Sequence, residues 1–301
     1  MTVKRIIDVP LRVLCLLALT TWLAGCIKED LDDCDDRYSL TVRAYAYETG
    51  HELGSEEVTD LSLFVFDNNL LFLYKIETTI GQKVPLTGPK DENLHIVAWG
   101  NLEQGNQTCI DPQPGDRMDD CFVELQTQNE TRAEGYVLSP GDLFWGDIVL
   151  TASDRIGGDR VLPIYRTVGS LTVTIRNLQG STGHADEDFH IVVRGTHSRI
   201  DFDGRATGEE TSYLPEGAFA SGNRNDEYTV PAFRLLPEES GVNIEIYHGE
   251  ELVTTVLLDA NEVPIVIEKG RLTNVLINLS TSLGVSVELT DWGNNYMWKE
   301  F

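Results

Sequence analysis

From residue 38 onward, apolar and polar side chains alternate with a period of two, and no long stretch of helical periodicity interrupts them. In Ser170-Leu-Thr-Val-Thr-Ile-Arg176, Leu171, Val173 and Ile175 point one way while Thr172, Thr174 and Arg176 point the other. That is the pattern of a strand with one buried face. The same alternation predicts strands over 38–47, 61–66, 70–76, 94–99, 122–127, 189–194, 242–247, 252–258, 264–267, 272–279 and 285–289. Turn formers separate them: Asp67-Asn-Asn69, Gly81, Gly88-Pro89, Gly157-Gly158, His248-Gly-Glu250 and Lys269-Gly270. About a dozen short strands so punctuated predict an all-β chain built as antiparallel sandwiches. The polar, glycine-containing stretch 154–159 followed by a fresh strand at Leu171 places a boundary near residue 166. The most polar stretch, 204–228, reads as a long loop, a length uncommon unless functional.

The first residues follow another rule. Lys4, Arg5 and Arg12 precede an apolar run over 13–23 that is broken only by two threonines. This run is too short for a spanning helix, which takes about 20 apolar residues, and it has the flanks of a secretory signal. Leu23-Ala24-Gly25-Cys26 closes it and resembles a bacterial lipobox, in which the Cys26 thiol is acylated and becomes the new N-terminus. Several acyl chains, at about 0.8 kcal/mol per buried methylene, hold a chain to a bilayer without a spanning helix. Glu29, Asp30, Asp32, Asp33, Asp35 and Asp36 follow at once. Such a run cannot pack and reads as a solvated tether. Its position after the lipidated cysteine also resembles the surface-export signal of Bacteroidota lipoproteins. The chain thus divides into a signal peptide (1–25), a lipidated acidic tether (26–37), an N-terminal sandwich (38–166) and a C-terminal sandwich (167–301).

With 23 basic against 49 acidic residues, the formal charge is −26. That field repels phosphate backbones and argues against a nucleic-acid partner. Of the five cysteines, Cys15 leaves with the signal and Cys26 takes lipid. Cys109 and Cys121 flank the loop Asp111-Pro-Gln-Pro-Gly-Asp116 and are candidates for a loop-closing disulfide; a bridge from Cys34 to either is the competing arrangement. No Cys-x-x-Cys or nearby His pair offers zinc spacing, and no cofactor is expected. Nucleophile elbow, His-Glu-x-x-His, Walker loop and dinucleotide fingerprint are all missing. His51-Glu52 has Ser55 where a second histidine is needed; His190 and His197 read as sheet-surface residues. Asp201-Phe-Asp203-Gly204 lacks the further spaced ligands of a calcium loop and reads as a tight turn. Trp99 is expected in the core and Trp145 against a turn. No catalytic residue and no enzymatic activity are expected.

Four stretches together resemble the FimB-type fimbrial anchor lipoproteins of Bacteroidota, within the fimbrillin superfamily. They are Cys26-Ile-Lys-Glu-Asp-Leu-Asp-Asp-Cys34, Leu61-Ser-Leu-Phe-Val-Phe-Asp67, His95-Ile-Val-Ala-Trp-Gly-Asn101 and Asp291-Trp292. The resemblance implies two tandem transthyretin-like antiparallel β-sandwich domains, a lipid anchor in the outer membrane, display at the cell surface, and a place at the base of a pilus. It also implies partners that are fimbrial subunits joined by strand exchange, in which backbone bonds supply affinity and alternate side chains fill pockets. Two segments of this sequence are candidates for that exchange. One is the first strand, with Tyr38, Leu40, Val42 and Ala44 on one face. The other is 284–301, where Val285, Val287 and Leu289 alternate with polar residues and Trp292 follows. Both also read as ordinary strands of their own sandwiches. Stalk subunits of this type are cleaved after a basic residue, for which Arg37 and Arg43 are formal candidates; an anchor must keep its lipid, so this chain is expected to stay intact from Cys26. The alternative function is a surface glycan-binding lipoprotein, which needs exposed aromatics. An extracellular hydrolase has no motif behind it.

Overall fold

The computed structural model describes residues 37–89, 92–128, 135–155, 159–184, 188–220, 226–280, 283–294 and 298. The signal segment, Cys26 and the acids that follow it lie outside these residues. The first half carries β1 (Arg37–Tyr45), β2 (Glu52–Leu53), β3 (Leu61–Phe66), β4 (Phe72–Thr78), β5 (Lys83–Thr87), β6 (Leu94–Gly100), β7 (Gln107–Cys109), β8 (Phe122–Leu125), β9 (Phe144–Leu150) and β10 (Arg160–Arg166). The second carries β11 (Gly169–Arg176), a short helix α1 (Leu178–Thr182), then β12 (Phe189–Asp201), β13 (Ala206–Tyr213), β14 (Ala218–Phe219) and β15 (Glu227–Leu235). It ends with β16 (Asn243–His248), β17 (Glu251–Val256), β18 (Arg271–Leu279) and β19 (Leu283–Asp291).

These strands form three sheets. The first runs β2-β1-β10-β9-β6-β3-β4, with β5 also on β1; the second runs β14-β15-β11-β18-β19; the third runs β17-β16-β12-β8-β7, with β13 also on β12. The β1–β10 and β11–β18 pairs are parallel, and the other strand pairs whose register is described are antiparallel. Period two fixes which face a residue takes but not the direction of the neighbouring strand, so these two exceptions could not be read from the pattern.

One core is enclosed by strands of the first sheet. Tyr38, Leu40, Val42 and Ala44 of β1 meet Leu61, Leu63, Val65, Ile96, Leu162 and Ile164 there. The opposite faces of β3 and β6 belong to a second core. Phe64, Phe66, Val97 and Trp99 pack there with Leu171, Val173 and Ile175 of the second sheet and with Ile191, Val193 and Ile244 of the third. Every residue of β3 is buried, which accounts for its nearly unbroken apolar run. The expected boundary at residue 166 falls at the end of β10. The strands cross it, since β7 and β8 complete a sheet whose other members follow residue 189.

Most expected turns are present. Asp67 accepts the Asn69 and Leu71 amides through Oδ1 at 2.8 and 2.9 Å and so closes the β3–β4 turn. The expected loop over 204–228 is instead largely structured: it holds β13 and β14 and leads into β15. Among the named strands β13 pairs with β12, and it buries only Ser212 and Tyr213, so it shows no apolar alternation. The strand expected over 264–267 is reduced to bridges at Pro264 and Ile267.

Candidate assembly edge

β19 is built by simple alternation and pairs antiparallel with β18 along its whole length, from Arg271↔Asp291 to Leu279↔Leu283. It is the last strand of the second sheet. Burial is shallow: Val285 is buried, Val287 and Trp292 pack at the rim of the second core, and Leu289 is half-buried. At the near end Leu283 is 52% exposed. The four residues singled out from the sequence are therefore brought together on one strand and its continuation, docked within their own chain. The outer edge of β19 is partly occupied. The Ala260 amide donates to the Val285 carbonyl at 2.9 Å, and the Arg271 guanidinium donates to the Leu289 and Thr290 carbonyls at 3.4 Å. From β18, the Asn274 amide donates to the Glu288 carbonyl at 3.2 Å and to Thr290 Oγ1 at 3.0 Å.

Trp292 ends this edge. The Arg166 guanidinium lies 4.8 Å from its ring and 4.9 Å from that of Phe144. Arg166 Nε donates to both Asp142 oxygens, at 2.9 and 3.0 Å. Burial pushes the Asp142 carboxyl up, and Arg166 opposes that shift without cancelling it. A mostly buried ion pair thus joins the end of β19 to the first sheet.

The other exchange candidate, β1, is held more deeply. Tyr38, Leu40, Val42 and Ala44 are all buried, with β10 on one side and β2 and β5 on the other. Arg43 is spoken for, its Nη1 donating to Glu52 at 3.0 Å.

Cys109 and Cys121 are free thiols, each part of or packed against the second core. Cys109 lies opposite Val123 in the β7–β8 register, so Cys121 is its diagonal neighbour, two residues along. The two thiols are not bridged in the structure. Burial raises both thiols, Cys109 to about 12 and Cys121 to about 11. Cys34 and Cys26 lie outside the described residues.

The histidines and tryptophans take structural places. His190 stacks on Tyr247 at 5.2 Å, and His197 Nδ1 lies 3.3 Å from Glu238. Trp99 is fully buried. Trp145 packs on the turn after β12, with Nε1 donating to the Phe202 carbonyl at 3.1 Å. That turn closes as expected of Asp201-Phe-Asp203-Gly204: Asp201 Oδ1 accepts the Arg205 amide at 2.9 Å, and Gly204 has φ +74°. Among the described residues no group of three His, Cys, Asp or Glu is placed to hold a metal ion, and no helix is long and apolar enough to cross a membrane.

The profile of the family described as Mfa2, fimbrillin-A associated anchor proteins Mfa1 and Mfa2, matches residues 31–298. The chain belongs to this family. Similar curated proteins are the major fimbrium anchoring subunits FimB of Porphyromonas gingivalis. That of strain W83 is 26% identical over 306 residues, covering 95% of this chain and 96% of the relative; that of strain ATCC 33277 is 25% identical over the same length. Among solved structures, the fimbrial anchor protein Mfa2 from P. gingivalis shares the fold, with a TM-score of 0.65 at 13% identity over 86% of this chain and 98% of that one. The anchor-family stretch His95–Asn101 now has a physical reading. Trp99 fills the second core, Gly100 leaves no room for a Cβ, which would lie 2.9 Å from Val58 Cγ1, and Asn101 takes φ +62°. Nothing in the sequence pattern flagged Asn101 as a buried bonding centre or Phe202 as a core residue, because both lie in turns.

Proposed function

We propose that this chain is a non-enzymatic surface lipoprotein that fastens a fimbria to the outer membrane by lipid on Cys26 and joins its first subunit by exchange at the β18–β19 ladder. Family membership supports the anchoring role, and the lipobox with its acidic tether supports lipidation and surface display.

The observation that carries the exchange is the placement of β19. It is an outermost strand, it contributes few fully buried side chains, and its whole ladder faces a single partner. Replacing it by an equivalent strand conserves the backbone bonds, so exchange costs little at equilibrium. Simple addition outside β19 is less suited, because the Val285 and Leu289 carbonyls are already engaged from within the chain. β1 suits the exchange less, because it is buried between β10 and its other partners.

The test is a reversible lock. Leu276 and Ser286 are directly opposite on β18 and β19, half-buried and exposed respectively. In cells carrying Leu276→Cys with Ser286→Cys, a disulfide holds β19 in place. The expected result is loss of attached fibres under oxidising conditions and recovery after mild reduction. Attached fibres at wild-type numbers in cells whose protein is fully cross-linked would contradict the exchange.

A further inference from the structure

Beside Trp292 the surface sinks into a cleft of about 320 Å³ lined by Ser139, Ser170, Phe233, Arg234 and Trp292. A second cleft, of about 290 Å³, adjoins it along Ser139, Ala232 and Phe233 and adds Asn106, Gln128 and Glu216. The two make one groove beside the 231–234 stretch of β15.

Arg234 is the group without an explanation. Nine other arginines whose side chains the structure describes sit within 4.0 Å of a carboxylate. Arg234 alone among them does not, in a chain with 49 acidic residues. Asp142 feels its charge but is bonded to Arg166. A guanidinium is a rigid fork suited to a carboxylate, and this one lines a half-open cleft with two aromatic side chains.

At two positions the backbone of the groove is unavailable to an incoming strand. Pro231 has no N–H, and the Arg234 amide and carbonyl are both taken by the Ser139 hydroxyl, at 3.0 and 2.9 Å. This favours recognition through side chains. Aromatic faces, amides and one unpaired guanidinium are the lining of a site for a polar ring compound bearing one acid group. The negative field of the whole molecule disfavours a polyanion.

We infer that this groove binds an oligosaccharide carrying a single acidic sugar, with the sugar carboxylate on Arg234, its ring against Phe233 and Trp292, and the neighbouring neutral sugars along Asn106, Gln128 and Glu216. The site is independent of lipid attachment, and it shares Trp292 with the exchanging edge.

The probe is a xylotetraose bearing one glucuronate, titrated calorimetrically into the purified mature protein. Plain xylotetraose and tetraglutamate serve as comparisons. Saturable binding of the acidic sugar is expected, weaker by about tenfold to a hundredfold for plain xylotetraose and for the Arg234→Gln protein, the loss of one charge-assisted contact. Ala232→Trp, at an exposed position that fills the junction of the clefts, should abolish it while leaving the melting temperature unchanged. Cells with Arg234→Gln should keep their fibres. No saturable binding of the acidic sugar overturns the inference. So does binding that neither variant weakens, equal affinity for plain xylotetraose, or tetraglutamate binding as tightly.

Discussion

The Phe202 ring stands edge-on to that of Phe64, with centroids 4.8 Å apart and planes at 75°. Phe64 is on β3; Phe202 is on the turn that follows β12. Phe66 and Trp99 complete the cluster, at 6.1 and 6.0 Å from Phe202. A side chain from the second half of the chain thus fills the outer face of the first sheet. Phe202→Ala should cost about 3–5 kcal/mol, the range for emptying a buried aromatic site. Because the core is shared, urea unfolding should remain one cooperative transition by both tryptophan fluorescence and circular dichroism. Two separate transitions in the unsubstituted protein would show that the halves do not depend on this contact.

Asn101 is a buried bonding centre. Its Oδ1 accepts the Thr59 amide at 2.9 Å, and its Nδ2 donates to the Glu57 and Asp142 carbonyls at 2.7 and 2.9 Å. Its left-handed φ of +62° adds a conformational demand that asparagine meets more readily than alanine. Asn101→Ala should destabilise by about 1–3 kcal/mol for the unpaired groups. Asn101→Gly, which relieves the backbone demand, should lose less. Equal stability of Asn101→Ala and the parent in urea would remove Asn101 from this role.

The thiols of Cys109, half-buried, and Cys121, buried, give a dependence on pH. Both have folded values above the ordinary value of 9.0, at about 12 for Cys109 and about 11 for Cys121. The unfolded chain therefore releases these protons first as pH rises. Stability from this source is intact below about 9 and falls between about 9 and 11 for Cys121 and between about 9 and 12 for Cys109. Native protein at pH 8 should resist iodoacetamide at both positions and take up two labels there after unfolding, as counted by mass spectrometry. Rapid labelling of the native protein would contradict the burial.

The Arg166–Asp142 pair ties the end of β19 to the first sheet, since Arg166 also covers Trp292. Asp142→Ala leaves a mostly buried guanidinium unpaired, and should cost about 3–5 kcal/mol. Replacing both residues with apolar ones should cost much less. A double variant as unstable as the single one would mean that the loss is one of packing, not of charge.

Much of this architecture is legible in the pattern of residues. β3, β11 and β18 are found where alternation or a short apolar run places them, and the tight turn at Asp201–Gly204 follows from its composition. The strands that escaped have physical reasons. β5, β10 and β15 contain Pro85, Pro163 and Pro231, residues that argue against a central strand. β10 pairs with β9 only at Tyr165 and Arg166, so Pro163 is outside the ladder on that side. β13 is polar because little of it is buried. At the assembly edge, Val285, Val287, Leu289 and Trp292 were legible as one unit, but not their partner β18, since register depends on contacts distant in sequence. Arg234 could not stand out before its nine counterparts were seen to be paired.

The account centres on a chain tethered by lipid at one residue and bearing a fibre at the β18–β19 ladder. Cells producing Cys26→Ala in place of the parent protein, labelled with radioactive palmitate and examined for surface fibres, test it most directly. The expected result is label on the parent only, with the fibres of the variant shed into the medium. Fibres attached in undiminished number to cells whose anchor carries no lipid would contradict it.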